Sequence, residues 1–316
     1  MTSRRIPNLF IIGAMKAGTS SLHEYLHQHP EIFMSRLKEP QYFAPHKTRW
    51  GQPWGQGYSH PEPGDDWYLR LFAAAGDARY AGESSVSYTA RPWVGDCEKR
   101  IHEFNPAARL IYILRDPVER SLSHYWHFVA DGREDRSPEA AMRRRGEYVS
   151  RSDYALQLQP YLETFGSNQV YILTLEELQH NPGNTLRHLF VWLGVDPNVS
   201  IATDKRLNVS PRHVSQTRRG LVPLDTWLKH WRWRQLARYL PHGISPWLHR
   251  VTHRSVDRES VDMRSTIRYL RPILQRRTER LTTMLGRSFP EWTTLYPSPV
   301  DSSETDERCL SVEVGR

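Results

Sequence analysis

Cysteine is scarce in this chain, and long apolar runs are missing. Only Cys97 and Cys309 occur among its 316 residues, so neither a disulfide framework nor a cysteine-rich metal site is expected. No stretch of about 18 consecutive apolar residues occurs, so no membrane-spanning helix is expected. The short apolar segment after Arg4-Arg5 runs into Lys16 without a cleavage-like site, and it does not fit an export signal. A cytoplasmic location is the expectation that follows.

Acidic residues are outnumbered by basic ones. The formal net charge is +8 and the pI is near 9.5, which favours an anionic partner such as a nucleotide, a nucleic acid, an acidic glycan or a lipid headgroup. Because the Lys and Arg residues are dispersed and no nucleic-acid module is recognised, no nucleic-acid partner is expected. A hydrophobic content of 38% is sufficient for a folded core and argues against global disorder.

Short apolar runs alternate with helical patterns along most of the chain. The runs that predict strands are 8–13, 79–85, 110–114 and 170–175. Polar turns follow these strands, and a long helical pattern near the C-terminus ends at Gly286. This alternation predicts an α/β fold with a P-loop-like, doubly wound and mainly parallel sheet that has helices on both faces. Ligands of such sheets bind at the carboxyl ends of the strands.

A single domain is predicted over residues 1–297, with a segment of different composition inside it. Residues 220–256 are rich in Trp, and Lys and Arg lie on the opposite helical face. Three interpretations stay open: an amphipathic helix packed on the core, a lid over the acceptor site, or a membrane-surface helix through residues 221–241. Residues 298–316 are predicted to form a disordered tail.

The first motif with chemical content is GAMKAGTSS. Its glycines, Gly13 and Gly18, have the spacing of a Walker A phosphate loop, but the lysine lies inside the loop at Lys16. A buried strand precedes the loop, and a helix capped by Thr19 or Ser20 is predicted to follow it. A helix N-terminus offers free backbone N–H groups and the positive end of the helix dipole, so this segment predicts an anion site.

The second motif is LRDPVERSLSHYW. Arg115 follows the strongest predicted strand, and a guanidinium there can contact a phosphate through two parallel hydrogen bonds. Ser123 is eight residues further on, about two turns into the next helix, on the same side as Arg115. Taken alone, this motif is better explained by an Arg–Asp turn and a surface serine.

Together the two motifs resemble the sulfotransferases that use 3′-phosphoadenosine 5′-phosphosulfate, especially the glycan (heparan-type) and related bacterial branch. The segments PNLFIIGAMKAGTSSLHEYLHQHPEI and LIYILRDPVERSLSHY are similar to its 5′-phosphosulfate loop and 3′-phosphate motif. KEPQYF, GESSVSY and LGRSFPEW are similar to further landmarks. The resemblance covers most of residues 6–214 and again 261–292. It implies a transferase that moves a sulfuryl group to a hydroxyl or amine of a small-molecule or glycan acceptor.

The resemblance also implies roles for individual residues. Lys16 would contact the bridging oxygen of the phosphosulfate and neutralise charge on the leaving phosphate, while Arg115 and Ser123 would bind the 3′-phosphate. The 5′-phosphate would be held by Ala17, Gly18, Thr19 and Ser20. Since a lysine can supply the charge that Mg²⁺ supplies in kinases, no metal is predicted.

Acceptor-side residues are implied in the same way. Glu39 stands where the glycan branch has its catalytic base. Lys38 and Ser85 are assigned to acceptor binding, because Ser84-Ser85-Val86 stands where that branch commonly has Lys-Thr-Pro. A late basic loop that covers the nucleotide is matched only by Arg212.

Two other interpretations compete with these assignments. A P-loop kinase with a shifted lysine is the alternative function, although Arg115 beside Asp116 suits a phosphate better than a metal. HEYLH, which spans His23 to His27, has the spacing of a zinc motif but lacks an evident third ligand. His124 and His127 are interpreted as packing or surface residues rather than ligands.

Overall fold

A five-stranded parallel sheet forms the centre of the computed structural model, which describes residues 5–44, 64–204, 212–217 and 253–297. Its strands are β1 (Leu9–Gly13), β2 (Ile32–Met34), β3 (Tyr80–Ser84), β4 (Arg109–Leu114) and β5 (Val170–Thr174). They lie in the order β2-β3-β1-β4-β5, and every neighbouring pair is parallel. The predicted mainly parallel sheet is confirmed, with strand ends shifted by one residue at most sites.

The central position of β1 explains its continuous apolar sequence. All five of its residues are buried, and Ile11 is in register with Ser84 of β3 on one side and Ile111 of β4 on the other. A strand that is paired on both edges and covered on both faces has no polar surface to present, so the run LFIIG is the expected pattern.

Helices flank the sheet. Their bounds are α1 (Thr19–His27), α2 (Asp65–Arg70), α3 (Cys97–Phe104), α4 (Pro117–Ala130), α5 (Pro138–Arg144), α6 (Glu147–Ser150), α7 (Tyr154–Phe165), α8 (Leu175–His180), α9 (Pro182–Leu193) and α10 (Arg264–Leu285). The final turn of α10 is closed by Gly286 in the left-handed conformation, as predicted. None of the helices in these ranges is long and apolar enough to cross a bilayer.

The capping of α1 differs from the prediction. Gly18, with φ of 93°, occupies the N-cap position, and no side chain caps the helix, whereas Thr19 or Ser20 was expected to do so. Thr19 is instead the first helical residue and is buried. The loop turns so tightly into the helix that only a residue tolerant of positive φ fits the cap position.

The strand order distributes the helices over both faces of the sheet. The chain leaves β1 toward β2 on one side and later crosses from β3 to β4 on the other, and right-handed crossovers in opposite directions place their helices on opposite faces. The end of α1 approaches α9, where the rings of His29 and Phe190 are 4.6 Å apart. Helix α3 contacts α7 instead, through His102 and Phe165.

A second, antiparallel pair of strands packs beside α4. It consists of β6 (His213–Thr217) and β7 (His253–Asp257), with Val214 opposite Val256. The last residues of the predicted 220–256 helical segment are therefore strand. The rest of that segment and the predicted tail, 298–316, lie outside the described residues. The single domain over residues 1–297 stays a prediction.

Candidate functional site

The predicted site residues gather at the carboxyl edge of the sheet. Because β1, β3 and β4 are parallel neighbours, the segments that follow them emerge side by side. These segments are the loop 14–18 after β1, the turn 84–86 after β3, and Arg115 with the start of α4 after β4. The Glu39 segment joins them through a hydrogen bond from its backbone N–H to the Ser84 carbonyl, at 2.9 Å.

Both glycines of the first loop are required by its shape. Gly13 has φ of 153°, and a Cβ there would lie 2.3 Å from Thr89 Oγ1. At Gly18 a Cβ would lie 2.7 Å from Leu175 Cδ1. Lys16 between them also has a positive φ, 68°, which is uncommon for a residue with a side chain. The loop therefore wraps closely around the N-terminus of α1, whose first-turn N–H groups have no acceptors within the helix.

Three cations converge on this loop. Burial and the neighbouring Arg115 and Arg258 lower the pKa of the Lys16 ammonium. Arg115 also donates a hydrogen bond to the Lys16 carbonyl at 3.2 Å and contacts Glu119 Oε2 at 3.3 Å. Positive charges that lower the pKa of Lys16 in this way are held near it by the fold and favour a multiply charged anion beside it.

Helix α4 presents a row of polar side chains beside Arg115. Glu119, Ser123 and His127 are spaced by four residues, which places them in a row on α4. The row begins close to Arg115, because the next residue, Asp116, caps the helix by accepting hydrogen bonds from the backbone N–H groups of residues 118 and 119. Ser123 is 8% exposed. The predicted Arg115–Ser123 pairing is thus compatible with the observed helix.

Arg258 belongs to this surface, and sequence reasoning missed it. Its guanidinium carbon lies 5.3 Å from the centre of the Trp126 ring, and its pKa is lowered by burial and by Arg115. Arg258 follows β7, whose pairing with β6 brings it to α4 from far away in the sequence. The apolar residues Val214 and Val256, which lie opposite each other in the β6–β7 pair, are the only local signal for that pairing.

Arg212, the predicted late cation, is placed differently. Its side chain is 61% exposed and forms ion pairs with Asp257 at 3.0 Å and with Glu259 at 3.3 Å. Its carbonyl accepts a hydrogen bond from the backbone N–H of Arg258. Because Asp257 and Glu259 already balance the charge of Arg212, Arg258 is the better candidate for the late cation, and the donor contact of either residue stays a prediction.

Glu39 lies beside the loop in a partly enclosed position. Its carboxylate Oε2 accepts a hydrogen bond from the Val86 N–H at 2.9 Å, and its side chain is 19% exposed. Burial raises the pKa of this carboxyl, although Lys38 opposes the shift. The Lys38 ammonium is 3.7 Å from Glu39 Oε1 and also donates a hydrogen bond to Ser20 Oγ. Lys38 thus links the base candidate to the first turn of α1.

Ser85 does not have the position that was predicted for it. Its hydroxyl is fully buried, donates to Glu83 Oε2 at 2.7 Å and accepts from the Gln41 N–H at 3.0 Å. A buried hydroxyl with both contacts made inside the protein is not available to an acceptor, so its assignment to acceptor binding is corrected.

The histidines of the site region have protein partners. His23 Nδ1 is 2.8 Å from Ser84 Oγ, and burial lowers the pKa of His23 to about 4. His27 Nδ1 accepts a hydrogen bond from the Met34 N–H. His124 is fully buried against Phe128 and Tyr148, which confirms its packing role. Across residues 5–44, 64–204, 212–217 and 253–297, no three His, Cys, Asp or Glu residues are grouped to hold a metal.

The geometry agrees with a family assignment. A model described as "Sulfotransferase family" matches residues 7–198, which is more than half of the chain. The chain belongs to the sulfotransferase family. The transferase class predicted from its sequence is the class that this family indicates, and a P-loop kinase is not favoured.

Individual sulfotransferases support the same assignment. The bifunctional heparan sulfate N-deacetylase/N-sulfotransferase of Drosophila melanogaster is 25% identical over 231 residues, which cover 65% of this chain and 21% of that protein. Human carbohydrate sulfotransferase 15 is 28% identical over 253 residues, covering 61% of this chain and 45% of that protein. The chain therefore spans about a fifth to a half of the length of these curated relatives.

A solved sulfotransferase structure matches nearly the whole chain. The crystal structure of a sulfotransferase from Alicyclobacillus acidocaldarius is 26% identical, with a TM-score of 0.63. The match covers 90% of this chain and 98% of the other. The P-loop-like fold of the family is therefore the fold of this chain.

Proposed function

We propose that this sulfotransferase moves a sulfuryl group from 3′-phosphoadenosine 5′-phosphosulfate to a hydroxyl or amine of a carbohydrate acceptor. The observation that carries the proposal is the convergence of Lys16, Arg115 and Arg258 at the uncapped N-terminus of α1, with Glu39 beside them. Two separate anionic groups on one donor suit this arrangement, because Lys16 lies in the loop, while Arg115 and Arg258 lie beside the adjacent α4 face.

The two parts of the cationic surface suit the two ends of the donor. The 5′-phosphosulfate fits the loop, where Lys16 and the first turn of α1 provide donors from Ala17, Gly18, Thr19 and Ser20. The 3′-phosphate fits the α4 face, where Arg115, Ser123 and Arg258 lie. A guanidinium pair binds a phosphate dianion more tightly than it binds the free hydroxyl of ATP at that position, which favours this donor over ATP.

The reaction in this proposal is a single in-line displacement. The acceptor oxygen or nitrogen forms a bond to sulfur while the bond from sulfur to the bridging phosphate oxygen breaks. The acceptor proton passes to the Glu39 carboxylate, and Lys16 stabilises the charge that develops on the leaving phosphate. Burial keeps the pKa of Glu39 above its ordinary value, and this makes the carboxylate a better proton acceptor.

A glycan is the acceptor class that the relatives favour. The names of two of them state heparan sulfate and carbohydrate as what they act on. In this chain, Lys38 lies next to Glu39 and is partly exposed, so it suits a carboxylate or sulfate group on an acidic sugar. We assign Lys38 to acceptor recognition on this ground.

Transfer of labelled sulfate tests the proposal. The donor is supplied in EDTA with a panel of acceptors that includes N-desulfated and O-desulfated glycans and a simple phenol. We expect transfer to a glycan, and we expect Lys16→Ala and Glu39→Gln each to reduce it by about a thousandfold. Only Lys16→Ala should also weaken binding of 3′-phosphoadenosine 5′-phosphate, measured by calorimetry. A fully active Glu39→Gln enzyme would remove Glu39 as the base.

A further inference from the structure

A second carboxylate lies beneath the Glu39 segment. Glu83, in β3, is fully buried, and among the described residues no Lys or Arg forms an ion pair with it. Its three hydrogen-bond donors are all hydroxyls, from Tyr68 at 3.1 Å, Ser85 at 2.7 Å and Tyr88. Burying a carboxyl that has only neutral hydrogen-bond donors costs folding free energy, so the contacts that it makes indicate its role.

Two of these hydroxyls also contact the segment that carries Glu39. Ser85 Oγ accepts a hydrogen bond from the Gln41 N–H at 3.0 Å, and the Tyr88 hydroxyl oxygen accepts from the Phe43 N–H at 3.4 Å. Each hydroxyl has one proton, and backbone N–H groups can only donate. The protons of Ser85 and Tyr88 therefore point to Glu83, and this fixes the direction of both hydrogen-bond chains.

The segment requires such external support because its backbone is strained. Glu39 has φ of 59° and Gln41 has φ of 54°, which are left-handed conformations that residues with side chains rarely adopt. The Glu39 N–H is bonded to the Ser84 carbonyl, and the hydrogen bonds from Gln41 and Phe43 follow two and four residues later in the chain. Together they hold the segment at the base candidate and directly after it.

We propose that Glu83 is the positioning residue for Glu39: through the hydroxyls of Ser85 and Tyr88 it fixes residues 41 and 43, and so the direction of the Glu39 carboxylate. The inference rests on the proposed function, in which Glu39 is the base. Glu83 itself is buried and does not touch the substrates.

Glu83 acts on the Glu39 segment through hydrogen bonds rather than through charge. The charged groups that shift the pKa of Glu39 are Lys38 from its own segment and Arg151 after α6. Burial raises the pKa of Glu83 to about 7, and the negative charge of Glu39 contributes to that shift. A carboxyl with such a pKa is largely neutral in the acidic range, so Glu83→Gln removes hydrogen-bond acceptors there rather than a charge.

The test is Glu83→Gln, which keeps the shape but places an amide N–H₂ group where hydroxyls must donate. We expect kcat to fall by about 10- to 100-fold, because the base is displaced. Binding of 3′-phosphoadenosine 5′-phosphate should stay within about twofold, because the cationic loop is not in contact with Glu83. The loss should therefore appear in kcat at an unchanged affinity for 3′-phosphoadenosine 5′-phosphate.

The matched control is Glu134→Gln. Glu134 is also buried and accepts a tyrosine hydroxyl, from Tyr148 at 3.1 Å, but it has no contact with the Glu39 segment. This variant should lose stability while kcat and the affinity for 3′-phosphoadenosine 5′-phosphate stay unchanged. If Glu83→Gln does not fold, Ser85→Ala tests the positioning role instead. We expect kcat to fall by about tenfold at unchanged binding of 3′-phosphoadenosine 5′-phosphate.

The outcomes separate the two proposals. An inactive Glu39→Gln enzyme together with wild-type kcat in Glu83→Gln, or with wild-type kcat in Ser85→Ala, would overturn the positioning role alone. A fully active Glu39→Gln enzyme would overturn the base assignment instead, whatever Glu83→Gln shows.

Discussion

At the scale of single residues, the two side chains with proposed roles in the reaction both sit on left-handed backbone. Lys16 has φ of 68° and Glu39 has φ of 59°, although neither is a glycine. The surroundings enforce both conformations: Arg115 donates to the Lys16 carbonyl, and the Glu39 N–H donates to the Ser84 carbonyl. Strain that persists in this way is concentrated where a side chain must be aimed at a reacting group.

The proposed contact of Arg258 with the 3′-phosphate can be tested by substitution. Arg258→Ala should weaken binding of 3′-phosphoadenosine 5′-phosphate by about 10- to 100-fold, because a charge-assisted contact to the 3′-phosphate is lost. Binding of adenosine 5′-phosphosulfate, which lacks that phosphate, should change by less than about twofold. Calorimetric titration of both ligands measures the difference.

Arg212→Ala is the control for this variant. Arg212 directly precedes β6, as Arg258 directly follows β7, but Arg212 is mainly exposed and paired with Asp257 and Glu259. Its removal should alter the affinity for 3′-phosphoadenosine 5′-phosphate by less than about twofold. If Arg212→Ala proved the more damaging of the two, the assignment of the second cationic contact would have to be reversed.

At the scale of elements, the unit formed by β1, its loop and α1 can be predicted from the sequence almost completely. Its parts are contiguous: a buried strand, glycines at both ends of the loop, and an amphipathic helix. The Arg115–α4 unit is predictable for the same reason. The cap of α1 was predicted wrongly, because Thr19 and Ser20 are good caps by residue type and only the tight turn selects Gly18.

A glycine substitution tests the loop. Gly18→Ala should destabilise the protein by about 1 to 2 kcal/mol, since φ is 93° and the added Cβ would lie 2.7 Å from Leu175 Cδ1. It should also weaken binding of 3′-phosphoadenosine 5′-phosphate by about tenfold or more, because the first turn of α1 moves. Thermal unfolding and titration measure the two effects separately.

Gly76→Ala is the reference for backbone strain alone. Gly76 also has a positive φ, 52°, but a Cβ there would meet nothing within 4 Å. This variant should lose stability by a similar amount and bind 3′-phosphoadenosine 5′-phosphate normally. Normal binding in Gly18→Ala as well would show that the loop does not hold the phosphate.

The antiparallel β6–β7 pair is an element that the sequence did not predict. Its strands, HVSQT and HRSVD, have little apolar content and lie far apart in the sequence, on either side of the composition shift that suggested a helix. Only their pairing brings Arg258 to α4, and pairing between distant segments is set by tertiary contacts rather than by local propensity. The same reason applies to Glu83, whose partners Tyr68 and Tyr88 are contributed by separate elements.

At the scale of the whole molecule, the parallel strand order turns three distant segments into one site. The loop after β1, the turn after β3 and the Arg115 segment after β4 are neighbours only because β1 lies between β3 and β4. Part of the net charge of +8 is concentrated at that edge, where Lys16, Arg115 and Arg258 lie close together. The cytoplasmic location, the possible roles of residues 221–241 and the disordered tail stay predictions.

Binding of 3′-phosphoadenosine 5′-phosphate in EDTA tests the central claim most directly. At about a hundredfold excess over its Kd, the ligand should raise the Tm by about 5 to 10 °C, and ATP with Mg²⁺ should raise it much less. The preference should disappear in Arg258→Ala, which lacks a contact to the 3′-phosphate. A larger shift with ATP and Mg²⁺ than with 3′-phosphoadenosine 5′-phosphate would contradict the account.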